Sequence, residues 1–217
     1  MKNVRVFYNK TGRLKYVSHL DMNRVFMRFV RRAGIPIWYT EGFNPHPKIN
    51  FALPLSLGFE SECESVDIRL EDDNYPCDEV AKKLSAVMPE GLSVTGAADP
   101  VMKVGDIAYA RFEITAEFPE KTDEFFGRDS IIAEKKAKKK KGARRNAPAE
   151  TKTVDIKPLI KEWSLNGNVL TLVLCAGNDN LNPTLVLESL SAFCGEEINP
   201  SQIVRKAMYN SSMELFR

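Results

Sequence analysis

Two histidines, His19 and His46, are the side chains of this sequence whose chemistry best suits acid–base catalysis. Imidazole titrates near neutral pH, so a pair of imidazoles can supply the acid and the base of RNA cleavage. Each ring could instead serve the fold, hydrogen-bonded to a loop carbonyl or to the carboxylate of Asp21. We expect this structural role and assign no catalytic residue. A metal-independent RNA endonuclease that uses His19 and His46 stays open as an alternative.

Metal and cofactor binding are not expected of this chain. A metal site at the histidines would need a third and a fourth ligand, for which Asp21 is one candidate and no other stands out. The cysteines are too far apart to form a CxxC or CxxxCxxC motif; they are Cys63, Cys77, Cys175 and Cys194. An iron–sulfur cluster is therefore not predicted, and the thiols are expected to be buried or idle.

The arginines of residues 24–32 follow a helical spacing. Arg24, Arg28 and Arg31 recur at i, i+4 and i+7, which places them on one face of a helix, with Arg32 beside them. Guanidinium groups at this spacing can follow the successive phosphates of a nucleic acid. Any solvent-facing helix also carries charge on its outer side, and this reading stays open. The candidate RNA contacts on this helix are Arg24, Arg28, Arg31 and Arg32.

The most basic stretch lies in residues 135–151 and is low in complexity. We expect it to form a flexible loop that binds RNA phosphates through Lys138, Lys139, Lys140, Lys141, Arg144 and Arg145. A loop that only keeps the protein soluble is the alternative.

Charge is sorted along the chain, although the formal net charge of the 217 residues is only +2. Residues 13–48 hold seven basic and two acidic side chains, whereas residues 60–90 hold three basic and ten acidic ones. This asymmetry favours a polyanionic partner for the basic parts, or neutralisation within the fold. The mean hydropathy of −0.29 and the lack of an apolar stretch of about 18 residues predict a cytoplasmic protein that does not bind membranes.

The elements that would position these side chains follow from periodicity and turn residues. Residues 4–8 alternate as a strand, and Ser18 caps a helix that runs to about Ala33, before Gly34 and Pro36. Apolar residues recur at helical spacing on its inner face: Met22, Val25, Phe26, Phe29, Val30 and Ala33. Further strands are predicted at residues 35–40, 49–57, 65–70 and 92–94, with a helix at 78–88.

This order of elements places residues 1–97 in a ferredoxin-like, split βαβ domain with one extra strand. After a linker, residues 107–217 repeat the order more loosely, with a strand at 110–118, a helix at 122–138 and a hairpin at 163–170. A helix at 185–193 and a strand at 203–209 complete this half. The predicted fold class is therefore α+β, with two tandem ferredoxin-like halves.

Residues 15–58 carry two distinctive motifs. They are Ser18-His19-Leu20-Asp21 and Asn44-Pro45-His46-Pro47, joined by Arg24, Arg28, Arg31-Arg32-Ala33 and Tyr39-Thr40-Glu41-Gly42-Phe43. Together with Asp155-Ile156-Lys157-Pro158, this pattern resembles the radical-SAM-linked family, a bacterial family of unknown function found alone or fused C-terminal to a radical SAM protein. The resemblance implies a radical SAM protein as the partner. This chain has no cluster motif of its own, so it would not itself cleave S-adenosylmethionine by radical SAM chemistry.

These observations predict a non-enzymatic partner of a radical SAM enzyme that binds RNA or presents the enzyme's substrate. A protein-only adaptor, which contacts its enzyme alone, is a further alternative. The arginines and the lysine-rich segment would hold phosphates. A specific pocket is expected around the two motifs, formed by Ser18, His19, Asp21, Tyr39, Gly42, Phe43, Asn44, Pro45 and His46.

Overall fold

A computed structural model describes residues 1–136 and 151–217 of the protein. Its helices are α1 (His19–Arg32), α2 (Cys77–Ser85), α3 (Thr122–Phe126) and α4 (Pro183–Cys194). Its strands are β1 (Lys2–Lys10), β2 (Ile49–Phe51), β3 (Glu60–Leu70), β4 (Leu92–Ala98), β5 (Ile107–Thr115), β6 (Ile132–Lys136), β7 (Thr151–Asp155), β8 (Ile160–Asn166), β9 (Val169–Cys175) and β10 (Gln202–Asn210). The predicted α+β class is confirmed. No helix within these two ranges is both long and apolar enough to cross a lipid bilayer.

The first compact unit comprises residues 1–110 and 202–217. β1 lies between β4 and β3, β2 pairs with β3, and these three pairings are antiparallel. The chain order β1-α1-β2-β3-α2-β4 with this strand arrangement is compatible with the ferredoxin-like, split βαβ pattern. β10 adds a short parallel pairing to β3, in which Val204 lies opposite Glu60 and Arg205 opposite Ser61.

Residues 35–40 do not form the additional strand that the sequence predicts. Two isolated bridges are present there, which join Ile37 to Leu70 and Tyr39 to Pro47. β2 already pairs with β3 where Ile49 lies opposite Ile68. The segment therefore meets β3 only at the end of that strand.

α1 begins and ends where the sequence predicts. Ser18 is its N-cap, and Gly34 follows its last turn with a φ of +61°, which glycine adopts without strain. Met22, Phe26 and Val30 are its fully buried residues. They share a core with inward-facing residues of β1 and β3, namely Val4, Val6, Tyr8, Val66, Ile68 and Leu70. The outer side of α1 is left to its charged residues.

The second unit comprises residues 111–201, and the boundary between the units falls inside β5. β9 lies between β5 and β8, and β6 pairs with β7 in a separate two-stranded sheet. β8 and β9 form the predicted hairpin. The rings of Phe125 and Phe193 are 5.6 Å apart, and Phe126 stacks on Trp163 at 4.6 Å. These aromatic contacts join α3 to α4 and to β8.

The helix predicted at residues 122–138 is wrong beyond Phe126. α3 ends there, and β6 occupies residues 132–136. One carboxylate oxygen of Asp155 accepts hydrogen bonds from the backbone N–H groups of Ile131 at 2.9 Å and Lys157 at 3.0 Å. These bonds lower the pKa of Asp155 and hold the end of β7 beside the start of β6. The remaining order, β5-α3-β8-β9-α4, is compatible with a second ferredoxin-like half.

A buried ion pair lies inside the first unit. Arg205 of β10 and Glu64 of β3 are 2% and 4% exposed, and Arg205 Nε donates to the Glu64 carboxylate at 3.1 Å. The guanidinium Nη2 contacts the same carboxylate oxygen and donates to the carbonyl of Leu53 at 2.9 Å. Nη1 donates to the carbonyl of Pro54 at 3.3 Å. The pair therefore holds the segment after β2 in place.

Lys10, at the end of β1, lies close enough to this ion pair to interact electrostatically with both Glu64 and Arg205. Its ammonium group donates to the carbonyl of Val17 at 2.8 Å, directly before the N-cap of α1. Burial lowers the pKa of Lys10. Burial, together with the charge of Glu64, raises the pKa of Tyr8 well above its usual value. This buried polar region thus positions the start of α1.

Replacing Arg205 with methionine should lower the free energy of unfolding by about 3–5 kcal/mol, because Glu64 is left buried without a counter-charge. Lys82 provides the control, since it forms an exposed pair with Glu79 at 3.7 Å, and Lys82→Ala should leave stability nearly unchanged. Urea denaturation of both variants measures the difference. Equal stability of the wild type and Arg205→Met would contradict the role assigned to the pair.

Cys63 should react with alkylating reagents more slowly than Cys175 and Cys194, which are less deeply buried. Burial raises the pKa of the Cys63 thiol to about 11. At pH 8 only about one such thiol in a thousand is then ionised and reactive. Iodoacetamide labelling of the native protein, followed by mass spectrometry, measures the order of modification. The difference should disappear in urea, and early labelling of native Cys63 would show that the thiol is accessible.

Candidate functional site

The first motif forms the start of α1. Ser18 Oγ accepts a hydrogen bond from the backbone N–H of Asp21 at 3.2 Å and donates to the Asp21 carboxylate at 2.7 Å. The other carboxylate oxygen accepts from Arg24 Nη1 at 3.2 Å. Ser18 and Asp21 therefore cap the helix, and Asp21 also neutralises the first arginine on its outer side.

His19 lies in the first turn of α1 and is half-buried. Its Nε2 is 3.3 Å from the side-chain amide nitrogen of Asn23, which also donates to the His19 carbonyl at 2.9 Å. The ring meets the ring of Phe51 edge-on, with centroids 5.3 Å apart. When the amide donates to Nε2, the neutral imidazole carries its proton on Nδ1, which is then the nitrogen available to a ligand.

His46 belongs to a loop, residues 41–46, in which every residue is exposed. Its backbone N–H donates to Thr40 Oγ1 at 3.2 Å, and its carbonyl accepts from the Thr40 N–H at 2.9 Å. Its Nδ1 lies 3.1 Å from the carbonyl oxygen of Asn44 and 3.1 Å from the Thr40 hydroxyl, so this side of the ring is held by the loop. The Nε2 of this exposed ring contacts neither of these partners and is the nitrogen available to a ligand.

Each histidine thus has its own set of partners. Within residues 1–136 and 151–217, no hydrogen bond or ring contact joins His19 to His46. No group of three His, Cys, Asp or Glu side chains in that part of the chain has the geometry to hold a metal ion. The arrangement gives the protein two separate imidazoles, each with one nitrogen available.

The four arginines predicted on the outer side of α1 are exposed, and we call them the basic ridge: Arg24, Arg28, Arg31 and Arg32. Arg24 pairs with Asp21, as described above. Arg31 Nε donates to the Tyr39 hydroxyl at 3.0 Å, and its guanidinium lies 5.6 Å from the centre of that ring. Arg28 and Arg32 form no ion pair with any described residue, so both are free to bind an anion.

The contact between Arg31 and Tyr39 connects the last turn of α1 to the segment before the second motif. Tyr39 stands at the stem of the second motif, where it forms a bridge with Pro47. Pro47 is buried, unlike the six residues before it. The exposed loop is therefore attached to the basic ridge at its base, and one side of this unit carries both features.

An apolar cavity of about 280 Å³ borders α1, and the sequence did not predict it. It is lined by Leu14, Val17, Met22, Val25, Phe29, Pro89 and Leu92, with Arg28 as its charged residue. The apolar stripe of α1 was expected to be buried throughout, yet Val25 and Phe29 are only half-buried. A stripe wider than the sheet can cover is the sequence signal for such a cavity.

The second unit has a larger and more polar groove of about 660 Å³. Its charged lining residues are Arg111, Glu113 and Glu162, and Arg111 pairs with Glu113 at 3.0 Å. Two carboxylates beside one arginine disfavour a phosphate backbone. The basic residues expected to hold RNA in this half, Lys138, Lys139, Lys140, Lys141, Arg144 and Arg145, lie outside the described residues.

Comparison with known protein families identifies a family model that covers most of the chain. Residues 3–183 match the DUF2344 family, described as an uncharacterized protein conserved in bacteria. A comparison with curated proteins found no match. The predicted membership of a bacterial family of unknown function is thus confirmed, whereas the link to a radical SAM protein stays a prediction. The matched range includes both motifs, the basic ridge and the apolar cavity, and the chain belongs to the DUF2344 family.

Proposed function

We propose that this protein is a non-enzymatic partner of a radical SAM enzyme and that it binds RNA through the basic ridge of α1. The basic ridge is the observation that carries the RNA-binding part. Four guanidinium groups are exposed on one helix, and three of them, those of Arg28, Arg31 and Arg32, have no acidic partner among the described residues. The partner enzyme is proposed from the resemblance of the two motifs.

Three of the four arginines of the basic ridge can bind phosphates without breaking an ion pair. Arg28 and Arg32 gain a counter-charge directly when a phosphate approaches, whereas Arg24 would first have to exchange Asp21 for it. Arg31 is held in place by Tyr39, so less side-chain entropy is lost when its free nitrogens bind. Electrostatic contacts of this kind position a nucleic acid without selecting its sequence.

The protein-only adaptor is a second candidate, and exposed apolar side chains beside the first motif favour it. Tyr16, Leu20 and Leu57 are each more than 60% exposed. The N–H of Gly58 donates to the carbonyl of Lys15 at 2.9 Å, which brings Leu57 near Tyr16. Exposed apolar groups that lie together are typical of protein interfaces. Whether or not the protein also binds RNA, the partner enzyme would bind at the surface formed by Tyr16, Leu20 and Leu57.

Replacing Arg28 and Arg32 with glutamine should weaken RNA binding and reduce its dependence on salt. The slope of log K against log salt concentration should fall by up to about one for each arginine that contacts a phosphate. Thermal stability should be unchanged, because neither side chain is buried. Fluorescence anisotropy with a labelled 20-nucleotide RNA, titrated at several salt concentrations, measures both quantities.

The control for this experiment is Lys82→Gln combined with Lys121→Gln, which removes the same charge from exposed positions elsewhere. This double variant should keep the slope of the wild type. An identical slope for both double variants would show that the basic ridge is an ordinary solvated face. The adaptor reading would then be preferred.

The proposal expects no RNA cleavage by the purified protein, with or without EDTA. The endonuclease alternative expects cleavage that survives EDTA and is lost in both His19→Ala and His46→Ala, since an acid and a base would each be missing. Gel analysis of a labelled RNA incubated with the three proteins separates these outcomes. Cleavage that needs both imidazoles would replace the non-enzymatic proposal.

A further inference from the structure

Phe43 lies at the tip of the exposed loop of the second motif, and its side chain is 112% exposed, which is more than in an extended reference chain. An aromatic ring in this position adds nothing to the core of the unit. Its two faces are open to solvent, and no ring or cation contact involves it within the described residues. Open aromatic faces are what unpaired nucleobases stack on in RNA-binding proteins.

The loop that carries Phe43 is held in a defined conformation. Two hydrogen bonds join Thr40 to His46. The Thr40 N–H donates to the His46 carbonyl at 2.9 Å, and the His46 N–H donates to the Thr40 hydroxyl oxygen at 3.2 Å. Gly42 has a φ of +123°, which only glycine adopts readily, so the turn before Phe43 is built for this residue. A ring presented from a fixed loop loses little entropy when it binds.

The two other aromatic residues of this segment are less accessible to a base. Trp38 is half-buried, and the guanidinium of Arg69 lies 5.0 Å from the centre of its ring. Tyr39 is half-buried as well and is covered by Arg31. Of the three aromatic side chains next to the basic ridge, Phe43 is therefore the one that can receive a base.

The position of the loop relates Phe43 to the basic ridge. Arg31 holds Tyr39 at the base of the loop, and Phe43 follows Tyr39 by four residues. Consecutive Cα atoms are 3.8 Å apart, so the two residues are separated by no more than about 15 Å. An RNA strand of a few nucleotides can span this distance, with phosphates on the arginines and one base at the loop.

We infer that Phe43 stacks on one unpaired base of single-stranded RNA whose backbone lies along the basic ridge. This inference rests on the proposed RNA binding and specifies its ligand as single-stranded. The bases of a duplex are already stacked on each other and cannot open onto the ring without losing that stacking. Single strands should therefore bind more tightly than duplexes of the same sequence.

Phe43→Ala, Phe43→Trp and the wild type are compared by fluorescence anisotropy with a labelled 10-nucleotide single-stranded RNA and with its duplex. Phe43→Ala should weaken single-strand binding by at least about fivefold, the lower end for loss of one stacked base. Phe43→Trp should retain it, because indole offers a larger stacking face. The salt slope should not change in either variant, since no cation is removed.

Val101→Ala is the matched control, because Val101 is 73% exposed and lies outside both motifs. It should bind as the wild type does, and all variants should unfold at the same temperature. If the wild type binds neither RNA, both the proposed function and this inference fail. If the wild type binds but Phe43→Ala binds equally well, the inference alone is overturned and Phe43 is left to a protein interface.

Discussion

A buried carboxylate must be paired with a positive charge, and in the first unit Glu64 meets this requirement through Arg205. The same guanidinium group donates hydrogen bonds to the carbonyls of Leu53 and Pro54. One side chain therefore fixes the segment that follows β2. That segment continues to Gly58, whose N–H donates to the carbonyl of Lys15 just before α1. The position of the helix that carries the basic ridge thus depends on this pair.

Local signals made the first unit largely predictable from its sequence. The Ser18 cap, the apolar stripe and Gly34 lie within or next to α1, so its bounds follow from residues that are close in sequence. The ion pair could not be predicted, because Glu64 and Arg205 are 141 residues apart and neither local sequence indicates its partner. Residues 132–136 have helix-favouring composition, yet pairing with β7 outweighs that preference.

The two motifs were predicted as one pocket, and the structure describes them as a helix start and an exposed loop. The sequence identifies these residues, because Ser18 and His46 belong to distinctive motifs. It does not give the hydrogen bonds that decide which nitrogen of each imidazole is available. The same limit applies to the aromatic residues. The sequence alone does not distinguish Trp38, Tyr39 and Phe43 from one another. In the structure Arg69 covers the ring of Trp38 and Arg31 covers that of Tyr39, whereas the ring of Phe43 stays open.

The first unit is built from two stretches of chain that are far apart, residues 1–110 and 202–217. During synthesis, β1 to β4 therefore leave the ribosome long before β10 exists. Glu64 lacks its counter-charge while more than a hundred further residues are added to the chain. A nascent chain in this interval has an incomplete β3 edge and an unpaired acid in its core, both of which invite association with other chains. The first unit is thus completed only when β10 has been synthesised, and not by residues 1–110 alone.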